Sequence, residues 1–215
     1  MGFISMDKIK VYDVKQGDIG KFGRYYQSDT LSKEDIEWRI LEVEDGKALL
    51  LSEMILDCKQ YNEELEEVTW ETCTLRAWLN DDFYKAAFSL EEQARIALIN
   101  VKNEDNPWDG TEGGKNTQDK VFLLSYSEVT NSAFGFSSPY SNYDVARQAY
   151  GTVYARSNGL YAPHNNSDFG NSPWWLRSPG DDPNSAGFIF RDSSLGYNSV
   201  SDTYIGVRPA LWLNL

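Results

Sequence analysis

The residues able to do covalent or metal chemistry in this chain are few. Cys58 and Cys73 are its only cysteines and His164 its only histidine, so a zinc site of Cys and His ligands is not expected. One imidazole limits Ser-His-Asp or Cys-His catalysis to a single base. That base stands in the polar run His164-Asn165-Asn166-Ser167-Asp168, where a solvated side chain is the ordinary outcome. The carboxylate pairs Glu63-Glu64 and Glu66-Glu67 read as a solvated acidic face. Asp181, Asp182 and Asn184 offer a few oxygens to a hard cation that wants six or more, too few for a calcium site. Cys58 and Cys73 lie 15 residues apart. They either close one disulfide, contributing about 3 kcal/mol through chain entropy, or remain two small buried hydrophobes. No catalytic residue, metal or cofactor is expected.

What remains is non-covalent recognition, and one stretch has the composition for it. Residues 180–206 read GDDPNSAGFIFRDSSLGYNSVSDTYIG, in which 17 of 27 positions are Ser, Asp, Gly, Tyr or Asn. Tyr gives large amphipathic contact at low entropic cost, and Ser, Gly and Asn give adaptable hydrogen bonding. The same residues also make plain turns. Two stiff blocks enclose the stretch, Trp174-Trp175-Leu176-Arg177-Ser178-Pro179-Gly180 before it and Gly206-Val207-Arg208-Pro209-Ala210-Leu211-Trp212 after it. Their tryptophans bring bulk, Arg177 and Arg208 bring planar donor forks for carbonyls or carboxylates, and Pro179 and Pro209 fix the backbone.

The elements that must hold this stretch begin with strands. Residues 8–14 and 19–26 alternate on either side of the turn Gln16-Gly17-Asp18, and residues 37–43 and 47–52 flank Glu44-Asp45-Gly46, a hairpin signal. Short helices follow. Thr74 is placed to cap residues 75–79, whose Leu75, Trp78 and Leu79 share a face. Asp81 or Asp82 caps residues 83–88. Ser89-Leu90-Glu91-Glu92 is a capping box for residues 90–97, with Leu90, Ala94, Ala97 and Leu98 as the apolar stripe. Residues 103–119 form a polar, Gly-rich loop around Trp108, of a length that is usually functional. Residues 120–125 read as a buried strand, 127–134 as a helix capped by Ser127, and 141–150 as a further helix. Residues 156–173 read as loop. Strand and helix runs are segregated, which indicates an α+β fold with short antiparallel strands, two or three helices and long polar loops.

At 215 residues, 41% of them hydrophobic and 14% aromatic, the chain can bury one sizeable core, and a single domain over 1–215 is the default. A net charge of −13 opposes binding to nucleic acid or to an anionic membrane surface. No apolar run approaches the roughly 20 residues of a membrane span. The first residues, MGFISMDKIK, have neither the basic start nor the apolar core of a signal peptide. Met6 stands where myristoylation wants Ser or Thr.

Taken in order, several motifs together resemble a known family. They are Trp38-Arg39-Ile40-Leu41 with its Asp-Gly hairpin, Thr69-Trp70-Glu71, Leu75-Arg76-Ala77-Trp78-Leu79-Asn80 with Phe83, Phe88 and Glu92, Val121-Phe122-Leu123-Leu124-Ser125, and the two blocks around 180–206. That family is bacterial, common in gut Firmicutes and their phages, and looks like a branch of the C-type lectin fold. Variable proteins of diversity-generating retroelements and formylglycine-generating enzymes share that fold. The resemblance covers roughly residues 16–215. It implies a C-type lectin-like domain with amino- and carboxy-terminal strands paired and a long loop region on one face.

Residues 174–180 and 206–211 match the fixed frame of that family. The implied ligand-binding positions are Asn184, Phe188, Phe190, Arg191, Asp192, Ser194, Tyr197, Asn198, Ser199, Ser201, Asp202, Thr203 and Tyr204. Adenine-targeted mutagenesis of Asn codons yields mostly residues of these polar types. The chain departs from the enzymes, whose reactive cysteines lie near the carboxy-terminal face, because Cys58 and Cys73 precede it. It also departs from calcium lectins: Asp182-Pro183-Asn184 is similar to their Glu-Pro-Asn type tripeptide, but the Trp-Asn-Asp type companion does not follow. The expectation is a non-enzymatic receptor-binding or display protein on a phage particle or cell surface, its ligand an unidentified protein or glycan. The alternatives are a structural or assembly domain of such a complex and a formylglycine-generating-type enzyme.

Overall fold

The Asp-Gly pair makes the hairpin its sequence signals. Strands β3 (Lys33–Glu44) and β4 (Lys47–Ser52) pair antiparallel across a turn in which Asp45 has φ 47° and Gly46 φ 73°, values that match the twist of the flanking strands. In the computed structural model, which describes residues 4–5, 14–137, 143–162 and 170–215, this hairpin is the centre of the first sheet. Strand β2 (Ile19–Tyr26) pairs with β3, β1 (Ile4–Ser5) runs parallel to β2, and the last strand, β12 (Ala210–Asn214), pairs with β4. The order is β1-β2-β3-β4-β12. Of the strand expected over residues 8–14, all but Val14 lies outside the described residues.

Two bulges adapt this sheet to what packs on it. The β2–β3 register shifts between Lys21 and Arg24, where Gly23 has φ 68° and an added Cβ would lie 2.4 Å from the Phe88 ring. The Gly23 amide donates to Glu92 Oε1. A second shift, between Ile40 and Glu42, leaves both Ile40 and Leu41 buried. That adjacent apolar pair is the bulge's trace in the sequence.

The second sheet runs β10-β9-β8-β11-β5. Strand β5 is Asp57–Cys58, β8 is Trp174–Pro179, β9 is Ser185–Ile189, β10 is Leu195–Ser199 and β11 is Gly206–Val207. A separate ribbon pairs β6 (Ile99–Val101) with β7 (Thr117–Asp119) at the base of the Trp108 loop.

Helix α1 (Thr74–Trp78), a π-helical turn (Leu79–Phe83) and α2 (Tyr84–Ala87) follow one another without a gap. Asp81 and Asp82 therefore sit inside the helical run and cap nothing. Thr74 is its first helical residue rather than its cap: the Thr74 amide donates to Asn62 Oδ1 at 3.1 Å, and its hydroxyl accepts from the Glu63 amide at 3.0 Å. A loop distant in sequence supplies the cap.

Helix α3 (Leu90–Arg95) has the expected capping box of Ser89 and Glu92. Of its expected apolar stripe only Ala97, beyond the end of the helix, is buried; Ala94 is exposed, Leu90 is 84% and Leu98 61% exposed. The cap and the Glu92–Gly23 bond hold this helix in place of an apolar face. Residues 120–125 are buried, except for half-buried Lys120, but form no regular strand. Phe122 makes one bridge, to Ala210, and the neighbouring carbonyls of Val121 and Leu123 are taken by Asn80 and Arg177 side chains.

Residues 127–134 form turns and a 3-10 segment (Ser132–Phe134) capped by Asn131, while the Ser127 hydroxyl donates to Glu104. The helix expected over residues 141–150 is a turn in its described part, with Asp144 Oδ1 accepting from the Ala146 amide. Residues 138–142 lie outside the described residues. A helix the sequence reading missed, α4 (Val153–Ser157), is capped by Thr152, whose side chain accepts from Ala155. The architecture is α+β: mostly strands in curled sheets, with a few short helices.

Candidate functional site

The two blocks expected to be stiff are buried and cross-tied. Trp174 and Trp175 are fully buried, their indole N–H groups donating to Arg147 O and Lys59 O, each at 2.9 Å. Arg177, 5% exposed, donates to Leu123 O at 2.8 Å and to Lys102 O at 3.1 Å, and both of its terminal nitrogens bond Glu128. Arg208 is fully buried, donates from Nε to Ser52 O at 2.8 Å and lies over the Trp174 ring at 4.9 Å. Arg208 joins the segment after β11 to β4 of the first sheet, and the β8 side chains tie that strand to residues 59, 102, 123, 128 and 147.

The polar stretch between them is not all loop, because strands β9 and β10 supply five residues each. Strands β9 and β10 pair from Ser185↔Ser199 to Ile189↔Leu195, and β10 is the edge of its sheet. At the hairpin end, Ser193 has φ 75° and is buried, its hydroxyl accepting from the Asp144 amide at 2.6 Å. Asp192 Oδ1 accepts from the Ser194 amide at 3.0 Å. The turn before β9 is closed by Asp182 Oδ1 accepting from the Asn184 amide and Asp181 Oδ1 from the Ser185 hydroxyl, each at 2.8 Å.

Successive side chains of a strand face opposite ways, so the implied positions divide between two sides. Phe188 is not on the surface at all. At 3% exposure it is core, its ring 6.2 Å from Trp175 and 4.3 Å from Phe190. Phe190, 43% exposed, lies over Gly196 on the same side. Asn198 Nδ2 donates to the Tyr204 hydroxyl at 2.6 Å, and Arg191 donates to the Tyr161 hydroxyl at 3.1 Å.

Tyr197 faces the other way, opposite Gly187, which lies under the Tyr126 ring. Ser199 and Ser201 share a hydroxyl–hydroxyl bond at 3.2 Å, and the Asp202 amide donates to Ser199 O. Thr203 O accepts from the Cys58 thiol, and Tyr204 O from the Tyr161 amide. Backbone ties therefore hold the 199–204 segment, and its exposed Thr203 and Tyr204 side chains are carried on a fixed main chain.

The Trp108 loop borders the Tyr197 side. Asn106, 2% exposed, donates to Gly180 O at 2.8 Å and to Pro179 O at 3.2 Å, and its Oδ1 accepts from the Trp108 and Asp109 amides. Trp108 packs edge-on against Tyr126 at 4.9 Å, and the Tyr126 hydroxyl donates to Gly196 O at 2.6 Å. Asp181 beside Tyr197 raises that phenol above its ordinary pKa, with burial and Asp109 adding to the effect.

A groove of about 530 Å³ runs alongside, lined among others by Glu67, Thr72, Asp109, Glu112 and Pro183. A smaller hollow of about 290 Å³ opens beside Thr203, lined among others by Cys58, Lys59 and Trp78. The sequence reading missed Tyr126, Asp109 and Tyr161 as neighbours of the face. Their only signal there was residue type. Asn106→Ala leaves two carbonyls and two amides without a partner and is expected to cost about 2 kcal/mol. Urea unfolding measures the loss, and faster amide exchange confined to residues 106–111 locates it.

Cys58 and Cys73 are both free and buried, so of the two readings left open the unpaired one holds. Burial pushes each thiol up to about 12, with Asp57 also raising Cys58, and neither is a thiolate near neutral pH. His164 lies outside the described residues. Among the described residues no group of three or more His, Cys, Asp or Glu side chains is placed to hold a metal, and no helix is long and apolar enough to cross a membrane. What the described surface offers is aromatic rings, hydroxyls, amides and carboxylates on a braced edge.

A family model described as a domain of unknown function (DUF6273) matches residues 45–215. Comparison with curated proteins and with solved structures found no match.

Proposed function

The chain belongs to the DUF6273 family, and we propose that this member is a non-enzymatic ligand-binding protein of the receptor-binding or display kind. The observation that carries the reading is the edge hairpin β9–β10 with the segment that follows it. Exposed Phe190 and Tyr204 stand with Asn198 and Arg191 on one side of it and exposed Tyr197 on the other, all carried on a hairpin paired with the buried strand β8. Large rigid aromatics among adaptable polar groups, on a braced scaffold, are the physical make-up of a recognition surface.

The same arrangement supports a C-type lectin-like domain related to the variable proteins of retroelements. The carboxy-terminal strand β12 returns to the first sheet, although it pairs with β4 and not, as the resemblance implies, with the amino-terminal strand, since β1 lies at the opposite edge; the stretch between the two frames carries the polar, Tyr-bearing positions. On this reading Phe188 supports the surface from beneath rather than contacting ligand, while the other implied positions, from Asn184 and Phe190 to Tyr204, meet the partner. That partner is a protein or a glycan.

The test is a variant with Tyr197, Asn198, Asp202 and Tyr204 all replaced by Ala. Labelled wild-type protein is expected to bind a glycan array or intact bacterial cells, and the variant to lose at least about tenfold of that binding, as truncating hot-spot aromatics does. Its circular dichroism and thermal midpoint should stay those of the wild type. Binding unchanged in the variant, or collapse of its fold, would overturn the assignment of this face.

A further inference from the structure

Three arginines are buried among the described residues, and two of them have a carboxylate of their own. Arg147 pairs with Asp144 at 3.4 Å and Arg177 with Glu128. Arg208, with no exposed surface, has none within 4 Å among the described residues. Its Nε donates to Ser52 O at 2.8 Å, its Nη1 reaches Arg147 O at 3.5 Å, and its Nη2 has no hydrogen-bond partner. Glu53, the acidic group whose field reaches it, is bound through both oxygens to Arg39 at 2.6 and 2.9 Å. The Arg39 charge outweighs what Glu53 offers.

A guanidinium remains charged at neutral pH even here, where burial and then the nearby Arg39 lower its pKa to about 9. A buried charge without a counter-charge is among the most unfavourable arrangements a fold can contain. The Trp174 ring beneath it, at 4.9 Å, offsets only part of that through its quadrupole.

We propose that Arg208 anchors an internal site for a small monovalent anion of the halide class, chloride in ordinary solution. Nη2 donates to the ion, and the ion balances the guanidinium that joins the end of the second sheet to β4. A halide suits a place with few donors, whereas an oxyanion such as sulfate would need several more. This inference does not depend on the binding role of the β9–β10 hairpin.

Two measurements on the full chain test it. Crystals grown with bromide in place of chloride should show anomalous density in hydrogen-bond range of Arg208 Nη2. Thermal unfolding at constant ionic strength, with gluconate exchanged stepwise for chloride, should show a midpoint that rises and then saturates, as ligand linkage requires. Arg208→Met should remove that dependence, and if it does not fold the crystallographic result decides. An ordered water without anomalous signal at Nη2, a wild-type midpoint indifferent to the anion, or an unchanged dependence in Arg208→Met would each overturn the proposal.

Discussion

Arg177→Met is expected to destabilise the fold by about 3–5 kcal/mol, the range seen when one partner of a buried ion pair is removed. The cause is less the lost attraction than what is left behind. Glu128 loses both bonds from the guanidinium. The carbonyls of Leu123 and Lys102 lose a donor in a place where water does not replace it. Against a net stability of about 5–15 kcal/mol for a domain, that is a large share. Arg177→Lys should recover less than half of the loss, because a single ammonium cannot serve three acceptor groups spread around a planar fork. Urea unfolding of wild type, Arg177→Met and Arg177→Lys measures both, with the midpoint falling at unchanged slope. A loss below about 1 kcal/mol for Arg177→Met would mean that Arg177 is not what ties β8 to residues 102 and 123.

This role explains which parts of the molecule were legible in its sequence. The Asp45-Gly46 hairpin and the Ser89–Glu92 capping box are local devices, each complete within a few residues, and both form as read. Thr74 was misread as a cap because the group that caps α1, Asn62, lies 12 residues away and reaches it only through the fold. Residues 120–125 have a strand's composition, yet their carbonyls go to Asn80 and Arg177 side chains. Pattern alone carries no information about such partners. Leu90 and Leu98 had helical spacing but no neighbour to bury them.

The candidate face shows the same division. The polar composition of 180–206 singles out Tyr197 and Tyr204, both exposed, but it suggests loops where β9 and β10 pair through five residues each. Pairing fixes which side chains share a side. That is why Phe188 falls into the core and Tyr197 faces the Trp108 loop, away from Asn198. Neither Ser185–Ile189 (SAGFI) nor Leu195–Ser199 (LGYNS) alternates apolar and polar residues, and the high Ser, Gly and Asp content of the stretch favours turns as readily as edge strands.

Raising the pH above about 9 is expected to unfold the protein progressively, and the sign follows from five buried acidic groups. Burial raises the Cys58 and Cys73 thiols to about 12 from an ordinary 9.0. It also raises the phenols of Tyr25, Tyr61 and Tyr126 above their ordinary 10.0, with Asp57, Cys73 and Asp109 respectively adding to the shift. All five keep their protons in the folded state at a pH where the unfolded chain has released them. The stability they confer is whole below about pH 9 and is lost as the pH rises through and beyond the unfolded values.

Two buried arginines act in the opposite sense. Burial lowers Arg147 and Arg208 from 12.5, Arg208 to about 9, and their strain is relieved over the same interval. Five groups against two leave the unfolded chain holding fewer protons than the folded one above about pH 9, so stability falls as the pH rises, by roughly 1.4 kcal/mol per pH unit for each proton of difference. Urea midpoints measured from pH 8 to 11 should hold steady and then fall steeply. Cys73→Ala should flatten that fall by about one proton's worth, roughly 1.4 kcal/mol per pH unit. A midpoint that stays level to pH 11 would show that these thiols and phenols ionise in the folded protein, and hence that the core around Tyr61 and Cys73 admits water.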